Sequence, residues 1–323
     1  MTAISRAETP RPARLTVLGQ NQYGKAENRV VKITRDGDTH HIKDLNVSVA
    51  LSGDMDEVHY SGSNANVLPT DTTKNTVFAF AKEHGIESAE QFGIHLARHF
   101  VESQEPIKQA RIRIEEYGWD RIAGSESRAR FIGADQVQHS FVRNGQETRT
   151  AQVTYDGETW QIFSGLKDLT VMNSTNSEFW GYVKDRYTTL KEAYDRILAT
   201  SVTSVWRHNW VSDEQRMPQW DRSYAQAKKH MLDAFAETYS LSLQQTLYQM
   251  GSRVLNNRSE VDEIRFSLPN KHHFLADLEP FGLKNESADG AVYFAADRPY
   301  GLIEATVLRD GAEAQIPVDM TNL

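Results

Sequence analysis

One hairpin signature occurs twice in this chain, 120 residues apart. Residues 31–42 read VKITRDGDTHHI and residues 151–162 read AQVTYDGETWQI. Thr34/Thr154, Asp36/Asp156, Gly37/Gly157, Thr39/Thr159 and Ile42/Ile162 coincide at that offset. Asp-Leu-Asn-Val at 44–47 recurs as Asp-Leu-Thr-Val at 168–171, after a four-residue insertion. Asp-Gly supplies the positive φ that a tight turn between twisted strands needs, so each copy is expected to be a β-hairpin. Leu45, Val47, Val49 and Leu51 then alternate, giving one apolar face to an antiparallel strand. A duplicated hairpin predicts a duplicated module.

After each hairpin the period turns helical. Val77, Phe80 and Ala81 mark a first helix, broken near Gly85. Ser88 and Gln91 have capping-box spacing, and Phe92, His95, Leu96, His99 and Phe100 follow on one face. Strands resume at Ile112 and Ile114 and again around Phe141. The second half repeats the theme with an added helix at 187–199, a helix pair at 223–238 and 242–256, and closing strands near 260–267, 272–278, 291–297 and 301–309. The predicted class is α+β: two tandem modules, 15–145 and 146–310, each an antiparallel sheet with helices on one face. Residues 1–14 and 311–323 are expected to be tails, the first disordered. Open sheet edges invite pairing with another copy, so closure into a barrel-type homo-oligomer is expected.

Composition then narrows the chemistry. Lys and Arg total 36 against 44 Asp and Glu, a net charge of −8 with no basic run, which disfavours binding to nucleic acid. No apolar stretch approaches the roughly 18 residues of a membrane span. Cysteine is absent, excluding disulfides, thiolate zinc sites, iron–sulfur clusters and a Cys nucleophile. The first fourteen residues lack a secretory hydrophobic segment, and the chain ends Thr-Asn-Leu, not the peroxisomal Ser-Lys-Leu, so a cytoplasmic address is expected. His95 and His99 stand at i, i+4, but no Glu follows His95 and both lie on an apolar stripe, so packing is expected. His40-His41 and His272-His273 are adjacent on strand-like segments and point to opposite faces. No metal site is expected. No dinucleotide, P-loop or serine-hydrolase motif occurs.

Several polar stretches remain: Tyr23-Gly24-Lys25, Thr70-Asp71, Phe179-Trp180-Gly181, Asp195-Arg196 and Leu268-Pro269-Asn270-Lys271-His272. Each has an ordinary alternative. Thr70-Asp71 could be an N-cap, Phe179 a core aromatic, Arg196 a helix-surface charge, and 268–272 a turn.

Together with Thr70 to Thr76, Ser174 to Gly181, Tyr187 to Glu192, Asp195 to Leu198 and Ser267 to His272, these stretches resemble urate oxidase (uricase), a cofactor-free member of the tunnelling-fold enzymes. The resemblance runs from Gly24 to Glu304. It implies oxidation of urate by dioxygen and water to 5-hydroxyisourate and hydrogen peroxide in purine degradation, with no metal or flavin. It implies a proton relay of Lys25, Thr70 and His272. Urate would stack on Phe179, meet Arg196 and Gln244 along its edge, and touch the backbone around Asp71 and Leu243. Leu190 would wall the pocket, and Asn270 would hold dioxygen or water above the ring. It also implies a homotetramer with sites between subunits, the Lys–Thr pair from one chain and the Arg–Gln clamp from its neighbour.

These residue types suit a planar anion. An aromatic face holds the plane, a guanidinium fork reads acceptors, and an amide offers a donor and an acceptor. A Thr hydroxyl is too weak a base alone, but a Lys made less basic by burial can relay protons through it. Two other readings stand beside this one. A tunnelling-fold enzyme acting on another purine or a pterin is the first, although the absence of Cys counts against its zinc-dependent type. A non-catalytic purine-binding relative is the second, and it would show a disabling change at Lys25, Thr70 or His272, where none is present.

Overall fold

A computed structural model of the chain describes residues 16–37, 39–122, 139–286 and 290–319. The expected tail at 1–14 lies outside the described residues, as do 320–323. Both Asp-Gly hairpins form. Gly37 takes φ 54° between β1 (Tyr23–Asp36) and β2 (Thr39–Gly53), and Gly157 takes φ 94° between β6 (Thr148–Tyr155) and β7 (Trp160–Asn173). At the second turn Asp156 accepts the N–H groups of Glu158 and Thr159 at 3.0 and 2.7 Å, which fixes the reversal without a longer loop.

Between the hairpins lie α1 (Asp56–Tyr60), α2 (Thr70–Glu83), α3 (Ala89–Ser103) and β3 (Ile107–Tyr117), then a separate small hairpin of β4 (Trp119–Arg121) and β5 (Phe141–Arg143). After β7 come β8 (Leu198–His208), α4 (Trp220–Glu237), α5 (Leu243–Asn257), β9 (Val261–Leu275) and β10 (Tyr293–Leu308). Eight strands form one antiparallel sheet in the order β1-β2-β3-β6-β7-β8-β9-β10. The residues around Phe141 are thus not part of the main sheet; β6 takes that place.

Register shows that both helix pairs cover one face. Ile112 sits opposite Val153 and Val153 opposite Ile162; two residues on, Ser164 sits opposite Trp206 and Trp206 opposite Ile264. Alternation keeps all of them on one side. One core gathers Leu45, Val47, Ile112 and Val153 under α2 and α3; the other gathers Trp206, Ile264 and Phe266 under α4 and α5. Phe92 and Phe100 are essentially inaccessible, as their helical spacing predicts, and each contributes roughly 1.5–3 kcal/mol by transfer from water alone. Ser88 caps α3 by accepting the Gln91 N–H at 3.1 Å. His95 and His99 are half-buried and pack against His84, Phe80 and Phe100.

The strand–helix order repeats as β1, β2, α2, α3, β3, β6 and then β7, β8, α4, α5, β9, β10. On that order the sets divide after β6, whereas the division expected at 145/146 falls before it. The reason is that an Asp-Gly signature reports a tight turn and not its place in a module. The first copy lies inside a set and the second joins the two sets. A buried polar chain ties this seam. Glu90 on α3 accepts from Ser164 Oγ at 2.5 Å and from Arg149 at 2.6 Å, and Ser164 Oγ lies 2.9 Å from His208 Nε2.

Four other expectations are corrected. Residues 187–199 form no helix, because Asp185 and Thr188 bind each other's backbone and side chains in a turn, and Leu198 already begins β8. The strands expected at 260–267 and 272–278 are one strand, β9, running through Pro269. The β8–β9 register is the same on either side, Thr203↔Ser267 and Thr200↔Asn270, but the two pairs between them are not made, so the missing proline N–H falls where the ladder is interrupted. Likewise 291–297 and 301–309 are one strand, β10, with an irregularity between Ala296 and Gly301. Residues 311–319, expected within a tail, lie against the helix-free face. The Gln315 and Ile316 N–H groups donate to the buried Glu263 carboxylate at 2.9 and 3.0 Å, and Ile316 packs on Phe163 and Val205.

Candidate active site

The predicted site residues fall into two groups. The first is built on β1. Gly24 lies so close to β2 that a Cβ there would come within 1.8 Å of the Val49 carbonyl oxygen. Lys25 follows, half-buried, just before a bulge in which Glu27 takes φ 55°. The bulge is stapled by Asn28, whose Nδ2 donates to the Lys25 carbonyl at 3.0 Å and the Val47 carbonyl at 2.8 Å. The Tyr23 hydroxyl donates to the Leu68 carbonyl at 3.1 Å and accepts the Leu68 N–H at 2.9 Å. That clasp fixes the chain two residues ahead of Thr70.

Thr70 is the first residue of α2, not its cap; Pro69 occupies the cap position and offers no side-chain bond. The N-cap reading of Thr70 is therefore corrected, and its hydroxyl is left for other use. Asp71 accepts from Lys74 Nζ at 2.5 Å, and that bond, with the nearby charges of Lys74 and Lys25, holds its carboxyl below the usual range.

The second group surrounds the N-terminus of α5. Arg196 is half-buried on an irregular segment, not on a helix, so the helix-surface reading is corrected. Its Nε donates to Ser177 Oγ at 3.0 Å and its N–H to the Ser177 carbonyl at 2.9 Å. Ser177 bridges to Ser240, whose hydroxyl accepts from Thr246 at 2.8 Å inside the first turn of α5. Phe179 is half-buried rather than core. It pairs through its backbone with Ala193, stacks on Tyr182 at 5.0 Å, and carries the Arg196 guanidinium 5.2 Å from its centroid.

Ser242 caps α5, accepting the Gln245 N–H at 3.1 Å, and Gln245 Oε1 accepts the Leu241 N–H at 2.8 Å. Gln245 is thereby committed to the cap. Gln244 is exposed and its amide has no partner among the described residues. The Leu243 side chain is core, leaving only its backbone to face a ligand. Leu190 is 52% exposed and its carbonyl accepts from the Tyr182 hydroxyl at 2.6 Å.

Asn270 and His272 stand on β9, so the turn reading of 268–272 is corrected. They continue the alternation of Ile264, Phe266 and Leu268, on the face that carries the helices. Burial, the Arg196 charge and His273 lower the His272 pKa, in that order, which keeps the imidazole neutral near pH 7. Sequence reasoning missed Ser177, Ser240 and Asn28, which position the named residues without touching a ligand. Small polar residues in loops leave no periodic trace. Among the described residues no group of three or more His, Asp or Glu is disposed to hold a metal.

One chain does not bring the two groups together. β1 and β9 are six strand spacings apart in the sheet order, about 29 Å along the sheet at about 4.8 Å per spacing.

Comparison with known proteins follows the same outline. The sequence profile described as Uricase matches residues 21–154 and 162–304, breaking across the β6–β7 turn. The chain is 46% identical over 318 residues to a uricase of Arthrobacter globiformis, covering 98% of this chain and 97% of that one. It is 35% identical over 303 residues to a uricase of Aspergillus flavus, covering 91% and 98%. The crystal structure of the Arthrobacter globiformis uricase superposes with a TM-score of 0.85 at 47% identity, covering 94% of this chain and 99% of that one. A uricase from Bacillus fastidious, 22% identical, shares the fold with a TM-score of 0.71, covering 90% and 94%.

Proposed function

We propose a reaction from the premise that this chain belongs to the uricase family. It is a urate oxidase, and the reaction we infer is urate plus dioxygen plus water giving 5-hydroxyisourate and hydrogen peroxide, a step of purine degradation. Two electrons leave urate and reduce dioxygen to peroxide, while water supplies the new hydroxyl. The observation that carries this reading is the Arg196 guanidinium, fixed by Ser177 over the Phe179 ring. A stacking surface beside an oriented cation suits a planar anion, and the exposed Gln244 adds a donor and an acceptor at the positive end of α5.

Dioxygen reacts with electron-rich partners, so the chemistry requires a second proton to leave urate. In this reading Lys25 takes it through Thr70, and His272, neutral at working pH, completes the relay. Asn270, one alternation before His272, holds dioxygen or water above the ring. Arg196, the amide and backbone N–H groups stabilise the dianion, which is what lets the reaction proceed without a resident redox group. A complete site then joins the β1 group of one copy to the α5 and β9 group of another, in a homotetramer.

The test is direct. Purified protein in air, treated with chelator, should consume urate absorbance and release one peroxide per urate. Urate that persists, or is lost without peroxide, would contradict the proposal.

A further inference from the structure

The helix-free face of the sheet carries a feature that urate oxidation does not use. Arg111 and Arg113 lie two residues apart on β3, so both project from the face opposite Ile112 and Ile114. Their cross-strand neighbours on β2 are Ala50 and Ser48, and on β6 Thr154 and Gln152. None of the four carries charge. Among the described residues no carboxylate oxygen lies within 4.0 Å of either guanidinium.

The nearest acidic groups are otherwise placed. Glu115 is bound by Lys167 at 2.5 Å and by the Tyr117 hydroxyl at 2.7 Å, and feels the Arg113 charge without bonding to it. Glu27 lines the same cleft without pairing with either arginine. The cleft between β1, β2 and β3 holds about 210 Å³, and Arg111 Nε is buried beside it with no hydrogen-bond partner. Burial and the charge of Arg113 both disfavour the charged form of Arg111.

Two like charges are thus held side by side, with a buried donor unsatisfied, against an open cleft. A buried donor without a partner is costly, and paired guanidinium forks match the geometry of a tetrahedral oxyanion. We propose that the Arg111–Arg113 cleft binds a small oxyanion of the phosphate class, separately from the urate site. The anion accepts a hydrogen bond from Arg111 Nε–H and bridges both guanidinium groups, and Ser48 lines the cleft beside it.

Equilibrium dialysis of the intact protein against labelled orthophosphate, at fixed ionic strength, tests this. The expected result is one saturable phosphate per chain, retained in R196Q and in the presence of saturating urate, and lost in R111Q/R113Q. With 10 mM phosphate the parent should melt about 1–3 °C higher, and the double variant should show no rise. In phosphate-free buffer the double variant, relieved of like charges, should melt no lower than the parent. Phosphate binding that survives in R111Q/R113Q, or that vanishes in R196Q or with urate, would overturn the proposal. So would a lower melting temperature of R111Q/R113Q without phosphate, since the arginines would then already have partners.

Discussion

Gln244 and Gln245 are adjacent amides to which the helix cap gives different work. Gln245 is bound to Leu241, whereas Gln244 is exposed at the start of α5. Replacing Gln244 by Ala should raise the KM for urate about 3–10-fold, the worth of one lost hydrogen bond, with little change in melting temperature. Replacing Gln245 by Ala should cost about 0.5–2 kcal/mol of stability and leave KM near the parent value. Steady-state kinetics and thermal melting of the two variants check this, and the reversed pattern would move the urate contact to Gln245.

His208 makes a second prediction at this scale. It is fully buried and its pKa falls from 6.5 to about 4, chiefly through burial. The folded state therefore favours the neutral ring, and the unfolded state binds the proton more readily. Its contribution, on the order of 3 kcal/mol, is present above pH 6.5 and is lost as pH falls from 6.5 toward 4. Melting curves should show the parent losing stability more steeply than His208→Gln over that window. Equal slopes would remove His208 from the seam's pH response. The candidate site residues could be named from the sequence because their motifs stand in order along the chain. Ser177 and Ser240 were not, since what they do depends on a bridge between segments more than sixty residues apart.

At the scale of elements, short-range chemistry was easier to read than long-range order. The Asp-Gly turns, the Ser88 cap and the helix pair near 223–256 all follow from neighbours within four residues. β8 was not legible. It is buried along most of its length, so no alternation marks it, and the preceding segment has helical spacing without helical bonds. β9 was split in the sequence because Pro269 signals a turn unless a partner strand skips its missing N–H. The β1–β2 pairing depends on one glycine in a similarly local way. Gly24→Ala would drive a Cβ into the Val49 carbonyl, separating the strands beside Lys25. Its expected result is a lower melting temperature together with loss of most urate turnover. Parent-like activity and stability would show that β1 can shift without disturbing Lys25.

At the scale of the molecule, the sheet has two free edges and places half of the candidate site toward each. Val31 and Ile33 are exposed on edge strand β1, and Phe294 and Leu302 on edge strand β10. Exposed apolar edges of this length call for a partner. Lys25 and Thr70 belong to one side, and Phe179, Arg196, Gln244 and His272 to the other, from which we infer that a working site needs two copies. Co-refolding equal amounts of Lys25→Ala and Arg196→Ala measures it. Half of the pairs are then mixed, and each mixed pair holds one site with both residues intact, so about a quarter of parental activity should return. Sites built within one chain would return none, because every chain carries a lesion in its own site. Activity near zero from properly assembled mixed oligomers would show that each chain carries its own site.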